Sequence, residues 1–404
     1  MNNYTTKNYN GEMKLFTGWE YMLLDVANQF GIDDRTYEYR LDWARENLSN
    51  LEAFIDEAEE PEMFFKALLA IRDTQNRLPT GHLVGFDAAA SGIQLLSVTT
   101  RCEIGMRNSG AISQDTRPDI YTTCKDQMHR VDYVRKVVKA ALMTYYYGSE
   151  KEPAKAFGEG SYDLELFFKA AEAVAPGAYA IRSILQSAWQ SHALSHDWDL
   201  PDHGQVHKRV WVSKQYRIQE PLLDNRSFTF QCDINEGKER GVSLIADVTH
   251  SIDGYLLREL NRRCNYNVWQ LEKVKTLILN QIEFNEIAEL DIDRTKCRSL
   301  VETSLINEDN ISDYTNNQLN YLLHQVSMSL RHESFQVVNV HDEFKCSPKH
   351  MSHLRKHYNE ILFELYHSDI ICDIYHQLTG DELELDPIDH AVAALVRSNS
   401  YAVN

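Results

Sequence analysis

Residues 83–97, LVGFDAAASGIQLLS, constrain the fold more than any other stretch of the chain. The apolar run before Asp87 has strand character, and an apolar helical pattern resumes at Ile93. Between them stand three alanines, a serine and a glycine. A buried strand that turns through small residues into a buried helix is an α/β element. A turn stripped of bulk leaves room for something beside the carboxylate. Two plainer readings compete: Asp87 as a turn former or cap of the helix near Ser91, and small residues for close helix–strand packing, notably at Ala90.

A second acid has a similar setting. ESFQVVNVHDEFKCSPKH, residues 333–350, reads as strand, tight polar turn and strand, with Asp342 in the turn. Two carboxylates on β-elements are suited to magnesium, which takes hard oxygen ligands and keeps water and phosphate oxygens as the others. Two such ions roughly 3.5–4 Å apart activate a hydroxyl and stabilise a leaving oxygen.

DYVRKVVKAALMTYYYGS predicts a long helix closed by Gly148. Arg135, Lys139, Met143 and Tyr147 recur every fourth residue along one slowly drifting face. Two cations and an aromatic on one ridge suit a triphosphate and a base. The alternative is a solvated basic face with a core tyrosine.

Elsewhere the pattern predicts helices over 16–75, 118–131 and 161–195, and a loop at 152–160. VHKRVWVSKQYRIQE and RSFTFQCDI alternate as strands, and INEGKERGVSLIADV predicts a hairpin. Helix returns in DGYLLRELNRRC, NVWQLEKVKTLILNQIEF and NQLNYLLHQVSMSLRH, and after residue 350. The polar, acidic stretch 285–315 reads as a surface excursion. The fold class expected is α/β, a helix-rich α+β chain whose small sheet carries the acidic turns.

Bulk properties narrow the class. The 404 residues allow two or three subdomains. No apolar run approaches the roughly 18 residues of a membrane span, and MNNYTTKNYNGEMK lacks an apolar signal core. The seven scattered cysteines form no CxxC pair, which supports neither a zinc knuckle nor a disulfide framework and fits a reducing cytoplasm. A net charge of −19 repels nucleic acid at long range. The segment HRVDYVRKVVKA is locally basic, so a basic track on an acidic body, or a more basic partner, answers that repulsion.

The ordered motifs resemble those of the bacteriophage-type single-subunit DNA-dependent RNA polymerases. GFDAAASGIQLLS is similar to the family's motif A, with SGIQ after the aspartate. RKVVKAALMTYYYGS is similar to motif B, an R-x3-K-x7-YG pattern at Arg135, Lys139, Tyr147 and Gly148. NVHDEF is similar to motif C, with His341 and Asp342. THSIDG at 249–254 resembles the HSxDG element, and RCEIGMRN and DIY fall where the family has similar segments.

The resemblance implies a right-hand polymerase with palm and fingers. Its segments are a helical stretch next to thumb and palm at 1–75, palm with motif A at 76–110, and fingers with motif B and a short hairpin at 111–250. A helical segment with an insertion at 251–332 and palm with motif C plus C-terminal helices at 333–404 complete it. Asp87, Asp342 and the backbone carbonyl of Ala88 would bind two magnesium ions. Arg135 and Lys139 would hold the triphosphate, with Lys139 offsetting charge at the transferred group. Tyr147 and His250 would sense the ribose 2′-hydroxyl, Tyr121 would lie near the triphosphate, and His341 would brace the hairpin. The small residues after Asp87 replace the bulky glutamate with which related DNA polymerases block that hydroxyl.

The departures carry expectations too. Ala88 stands where the family has glycine, Ala140 where it has a basic residue, and Glu343 resembles the DNA polymerase form of motif C. The short INEGKERG segment argues against autonomous promoter recognition. The chain begins about where the family's N-terminal promoter-binding domain ends, which resembles the larger subunit of a split, two-subunit podovirus enzyme. A second polypeptide would supply the missing domain, and a helper DNA-binding protein would expose the DNA template. The substrates would be nucleoside triphosphates, the product RNA, and the location the cytoplasm of an infected bacterial host. A family-A-like DNA polymerase and an inactive, polymerase-fold interaction subunit are the alternatives.

Overall fold

The computed structural model describes residues 12–114, 116–130, 132–282 and 298–404. Helices dominate, and the strands among these residues form three small sheets. β1 (Val84–Asp87), β6 (Val338–Val340) and β7 (Glu343–Cys346) make an antiparallel sheet in the order β1-β7-β6. β2 (Ser195–Asp199) pairs with β3 (Gln205–Arg209), and β4 (Trp211–Glu220) with β5 (Arg226–Asn235).

Strand alternation explains the first sheet. Val84 and Phe86 of β1 point with Phe344 and Cys346 of β7 into the core, all essentially inaccessible. Gly85 and Asp87 share the opposite face with Lys345 and Glu343, their register partners. A one-residue slip would bury Asp87 and expose Phe86, so the register is tightly specified. The outer edge of β1 is covered: the Asp87 N–H donates to the Asn404 carbonyl (3.2 Å), the Asn404 N–H donates to the Asp87 carbonyl (3.0 Å), and Ala88 bridges to Val403.

The helix Gly18–Phe30 lies beneath this sheet, started by a Thr17–Glu20 capping box and stopped at Gly31 (φ +103°). Its Tyr21 meets Phe86 edge-on at 5.5 Å. The long helix Leu244–Cys264 packs on Met351–His367 and on Ser91–Thr99. Buried between the first two is Arg263, held by Glu259 (3.0 Å) and by both carboxylate oxygens of Glu364 (2.8 and 2.7 Å). Removing that guanidinium would strand two buried carboxylates, a loss of about 3–5 kcal/mol. A second, smaller core joins Val268–Gln281 to Asn316–Ser329 through Val274, Ile278, Leu319 and Leu322.

Several sequence expectations are corrected. Residues 151–157 form a helix, Lys151–Phe157, rather than a loop; only Gly158 and Gly160, both at positive φ, break the chain there. The helical stretch from 161 ends at Ser187, and β2 follows. GVSLIADV opens the helix Leu244–Cys264, whose Leu244, Ile245 and Val248 are buried on one face, so no hairpin forms at 234–248. The hairpin is β4–β5 instead. It is long, with ten paired residues per strand, and it turns through Asp224 and Asn225, both at positive φ. Of the expected excursion at 285–315, residues 285–297 lie outside the described residues. The remainder buries Leu300, Ile306 and Ile311. Among the described residues no helix is long and apolar enough to cross a membrane, and the six cysteines are free.

Candidate functional site

The two acids meet through their backbones. The Ala88 N–H donates to the Asp342 carbonyl at 3.2 Å, tying the end of β1 to the β6–β7 turn. That turn is two residues long, His341 and Asp342, and His341 takes a left-handed φ of +55° to close it. Asp87 does not cap the following helix: the cap position is Ala90, with no side-chain hydrogen bond. Asp87 is open to solvent on one side and crowded on the others. Lost hydration in that recess, then the charges of Asp342 and Glu343, push its pKa up to about 7, while Lys139 pulls it down.

The SGIQ residues acquire separate physical reasons. The Tyr147 hydroxyl is hydrogen-bonded to Ser91. Gly92 leaves the space the tyrosine fills: a Cβ there would lie 2.4 Å from that hydroxyl oxygen and 2.7 Å from Cζ. Gln94 is buried, accepts from the Tyr358 hydroxyl (2.9 Å) and donates to the carbonyls of Ala402 (3.3 Å) and Ser109 (3.4 Å). It thereby fixes the floor beneath the acids, where Tyr358 feels Asp253, Asp342 and Asp87.

The helix Arg135–Tyr146 delivers Lys139 and Tyr147 to the same place. Gly148 follows at φ +97°, and a Cβ there would stand 2.2 Å from the Val242 carbonyl oxygen. Position 148 thus needs glycine both for its backbone angle and for close approach. Val242 leads into Leu244–Cys264, which carries His250, and the His250 and Tyr147 rings pack at 4.8 Å. Ser251 accepts from the Trp198 indole (3.0 Å), anchoring this helix to β2. A cavity of about 660 Å³ opens beside Gly148, Trp189 and Arg240, and neither acid lines it.

Tyr121 organises the cations. The Arg135 guanidinium and the Lys139 ammonium stand 5.4 and 5.5 Å from its ring centroid. Arg135 is also forked onto Asp119 (2.5 and 3.1 Å), whose carboxylate caps the helix Ile120–Gln127 through the Tyr121 N–H. Arg130 is paired with Asp163. The basic track is therefore partly neutralised, and among the described residues Lys139 has no ion-pair partner.

Sequence reasoning gave no site role to three acids here. Asp119 orients Arg135, and an aspartate before an apolar helix was a legible capping signal. Glu343 sits opposite Asp87, bonds to Lys345 (2.9 Å) and fills the space left by Gly85. Asp253, one turn after His250, has its pKa pushed up to about 6 by burial and by Asp342. Among the described residues no group of three or more His, Cys, Asp or Glu is arranged to hold a metal ion. Two carboxylates and a carbonyl fall below that count, and magnesium needs few protein ligands. Burial pushes Asp87 upward first and the charges of Asp342 and Glu343 second, and a divalent cation would relieve the second. No protein-family model matches the chain, and no curated protein matches it.

Proposed function

We propose that this chain is the catalytic subunit of a DNA-dependent RNA polymerase, with palm and fingers of the right-hand type. One observation carries the reading. Five sequence elements scattered between residues 87 and 342 are linked in one region: Asp87–Ala88 to Asp342, Ser91–Gly92 to Tyr147, Tyr147 to His250, and Lys139 to Tyr121, with the Lys139 charge felt at Asp87.

Asp87, Asp342 and the Ala88 carbonyl would hold two magnesium ions, which when bound would activate the RNA 3′-hydroxyl and stabilise departing pyrophosphate. Lys139, exposed and free of ion pairs among the described residues, binds the triphosphate and offsets charge at the transferred group. Arg135 reaches the triphosphate by exchanging Asp119 for phosphate. Tyr147 and His250 form the wall against which the ribose rests. A basic second polypeptide would complete the nucleic-acid channel of a chain that carries −19.

The long β4–β5 ribbon changes the expectation about promoters. One face presents Ser213, Gln215, Arg217, Gln219, Ser227, Thr229 and Gln231, with Asp233, Trp211 and Asn235 toward its base. A two-stranded ribbon of that chemistry fits a DNA major groove, so reading of duplex DNA by this chain joins the proposal. Glu343 opposite Asp87 favours a second reading, a DNA polymerase. Extension of a primed DNA template with ribo- or deoxyribonucleotides and magnesium tests both. Ribonucleotide extension abolished by Asp87→Asn and by Asp342→Asn supports the first reading. Deoxyribonucleotide preference supports the second, and extension that survives both substitutions refutes the site.

A further inference from the structure

The second face of the β4–β5 ribbon is apolar. Register puts Tyr216 opposite Phe230 and Ile218 opposite Phe228, on the side away from Arg217 and Thr229. These four side chains are between 40 and 54% exposed, and the Tyr216 and Phe230 rings stack at 5.5 Å. At the tip Leu222 is 91% exposed and Leu223 58%. None of the six joins a hydrophobic core among the described residues. Residues 215–219 and 221–231 are all exposed, so the outer ribbon stands clear of the body. An isolated two-stranded ribbon is marginal in water unless its apolar face is covered, and a contiguous exposed apolar patch marks an interaction surface.

The register also says what fits there. Take the Arg217–Thr229 pair as the midpoint. Lys214 and Glu220 lie three residues to either side of it on β4, and Tyr216 and Ile218 one residue to either side. Phe228 and Phe230 flank it on β5. A second ribbon, turned end for end and laid face to face, therefore sets Lys214 against Glu220 of the second copy. Tyr216 meets Ile218 of that copy, and Phe230 meets its Phe228. Two-fold symmetry repeats every contact. The Leu222–Leu223 tip then covers Val212 and Ile234, both half-buried at the base of the other ribbon. Stacking in the same direction would match Glu220 with Arg226, but it would force two whole bodies to the roughly 10 Å spacing of packed sheets.

We propose that a second copy of this chain covers the apolar face, in a weak two-fold dimer whose ribbons stack end over end. At about 3.4 Å per residue and about 4.8 Å per strand, each ten-residue face covers ~340 Å², or ~700 Å² for the two. That is below the roughly 1,200 Å² of a stable complex, so the dimer dissociates in the micromolar range. The inference does not rest on the polymerase reading. The polar faces point outward in the dimer and stay open to duplex DNA.

Sedimentation velocity of the full chain from about 1 to about 300 µM tests this. Wild type should pass from monomer to dimer across that range. Phe228→Ser with Phe230→Ser, on side chains that no core uses, should raise the dissociation constant about 10–100-fold. Lys214→Glu and Glu220→Lys should each weaken association about tenfold by setting like charges together. An equimolar mixture of those two variants should restore wild-type association, because each supplies the charge the other lacks. Lys214 also pairs with Glu236 of its own chain (2.5 Å). Losing that pair affects the variant alone and in the mixture alike, so the restoration reports the contact between copies. A chain monomeric throughout overturns the proposal and leaves the face to a different protein. Association that survives the phenylalanine substitutions, or that the mixture fails to restore, overturns it too.

Discussion

Replacing Gly92 with alanine tests whether Tyr147 is seated as described, independently of any activity. The new Cβ would stand 2.4 Å from the Tyr147 hydroxyl oxygen, 2.7 Å from Cζ and 3.2 Å from Cε1. The ring cannot simply slide away, because the His250 ring packs on it at 4.8 Å. Tyr147 must leave its rotamer, at about 0.5–1.5 kcal/mol, and release Ser91, at about 0.5–1.5 kcal/mol. Against this, alanine gains up to about 1 kcal/mol over glycine in a helix. The balance is a net destabilisation of about 0–3 kcal/mol, too broad a range to be decisive alone. The decisive quantity is coupling. In the Tyr147→Ala background the clash is gone, so Gly92→Ala becomes neutral or stabilising. A double-mutant cycle by chemical denaturation then yields an interaction of about 1–3 kcal/mol. Additive substitutions, within roughly 0.5 kcal/mol, would mean that Tyr147 does not occupy the space above Gly92.

Gly148→Ala should cost about 2–4 kcal/mol in denaturant unfolding, combining a left-handed backbone angle with a 2.2 Å approach to the Val242 carbonyl. A loss under 1 kcal/mol would contradict the close contact. The histidines at 332, 350, 353 and 357 form a cluster in which burial lowers every pKa, that of His353 to about 4. Their unfolded values lie near 6.5, so the neutral cluster's stability is intact above that pH and is lost as pH falls toward 4. Between pH 7.5 and 5, wild type should lose on the order of 1–2 kcal/mol more than His353→Gln, after allowance for solvent on one side of the ring. Identical pH slopes for the two proteins would refute this.

Local chemistry was legible in the sequence, and pairing was not. The four-residue spacing from Arg135 to Tyr147 and the terminating Gly148 specify a helix and its stop with information held in a few adjacent residues. The alternation around Phe86 and Asp87 likewise fixes which side faces the core. The loop reading of 152–160 failed because Gly158 and Gly160 were allowed to outweigh Lys151–Phe157, where Pro153 sits in the first turn and is tolerated. The hairpin was misplaced because strand pairing is non-local. β4 and β5 were each recognisable, but their turn uses Asp224 and Asn225 without a glycine, and Gly241 drew the turn into what is the lead-in to a helix. Within the site, the motif residues could be named from their order. The partners of those residues, Asp119 for Arg135 and Glu343 for Asp87, emerge only when separate segments meet.

Crystals grown with manganese in place of magnesium, together with a nucleoside triphosphate, offer the most direct measurement of the central claim. Anomalous density should lie between Asp87 and Asp342, with oxygen ligands from both at about 2.0–2.2 Å, and it should vanish in Asp342→Asn. Manganese absent from that place, or held there unchanged without the Asp342 carboxylate, would contradict the account.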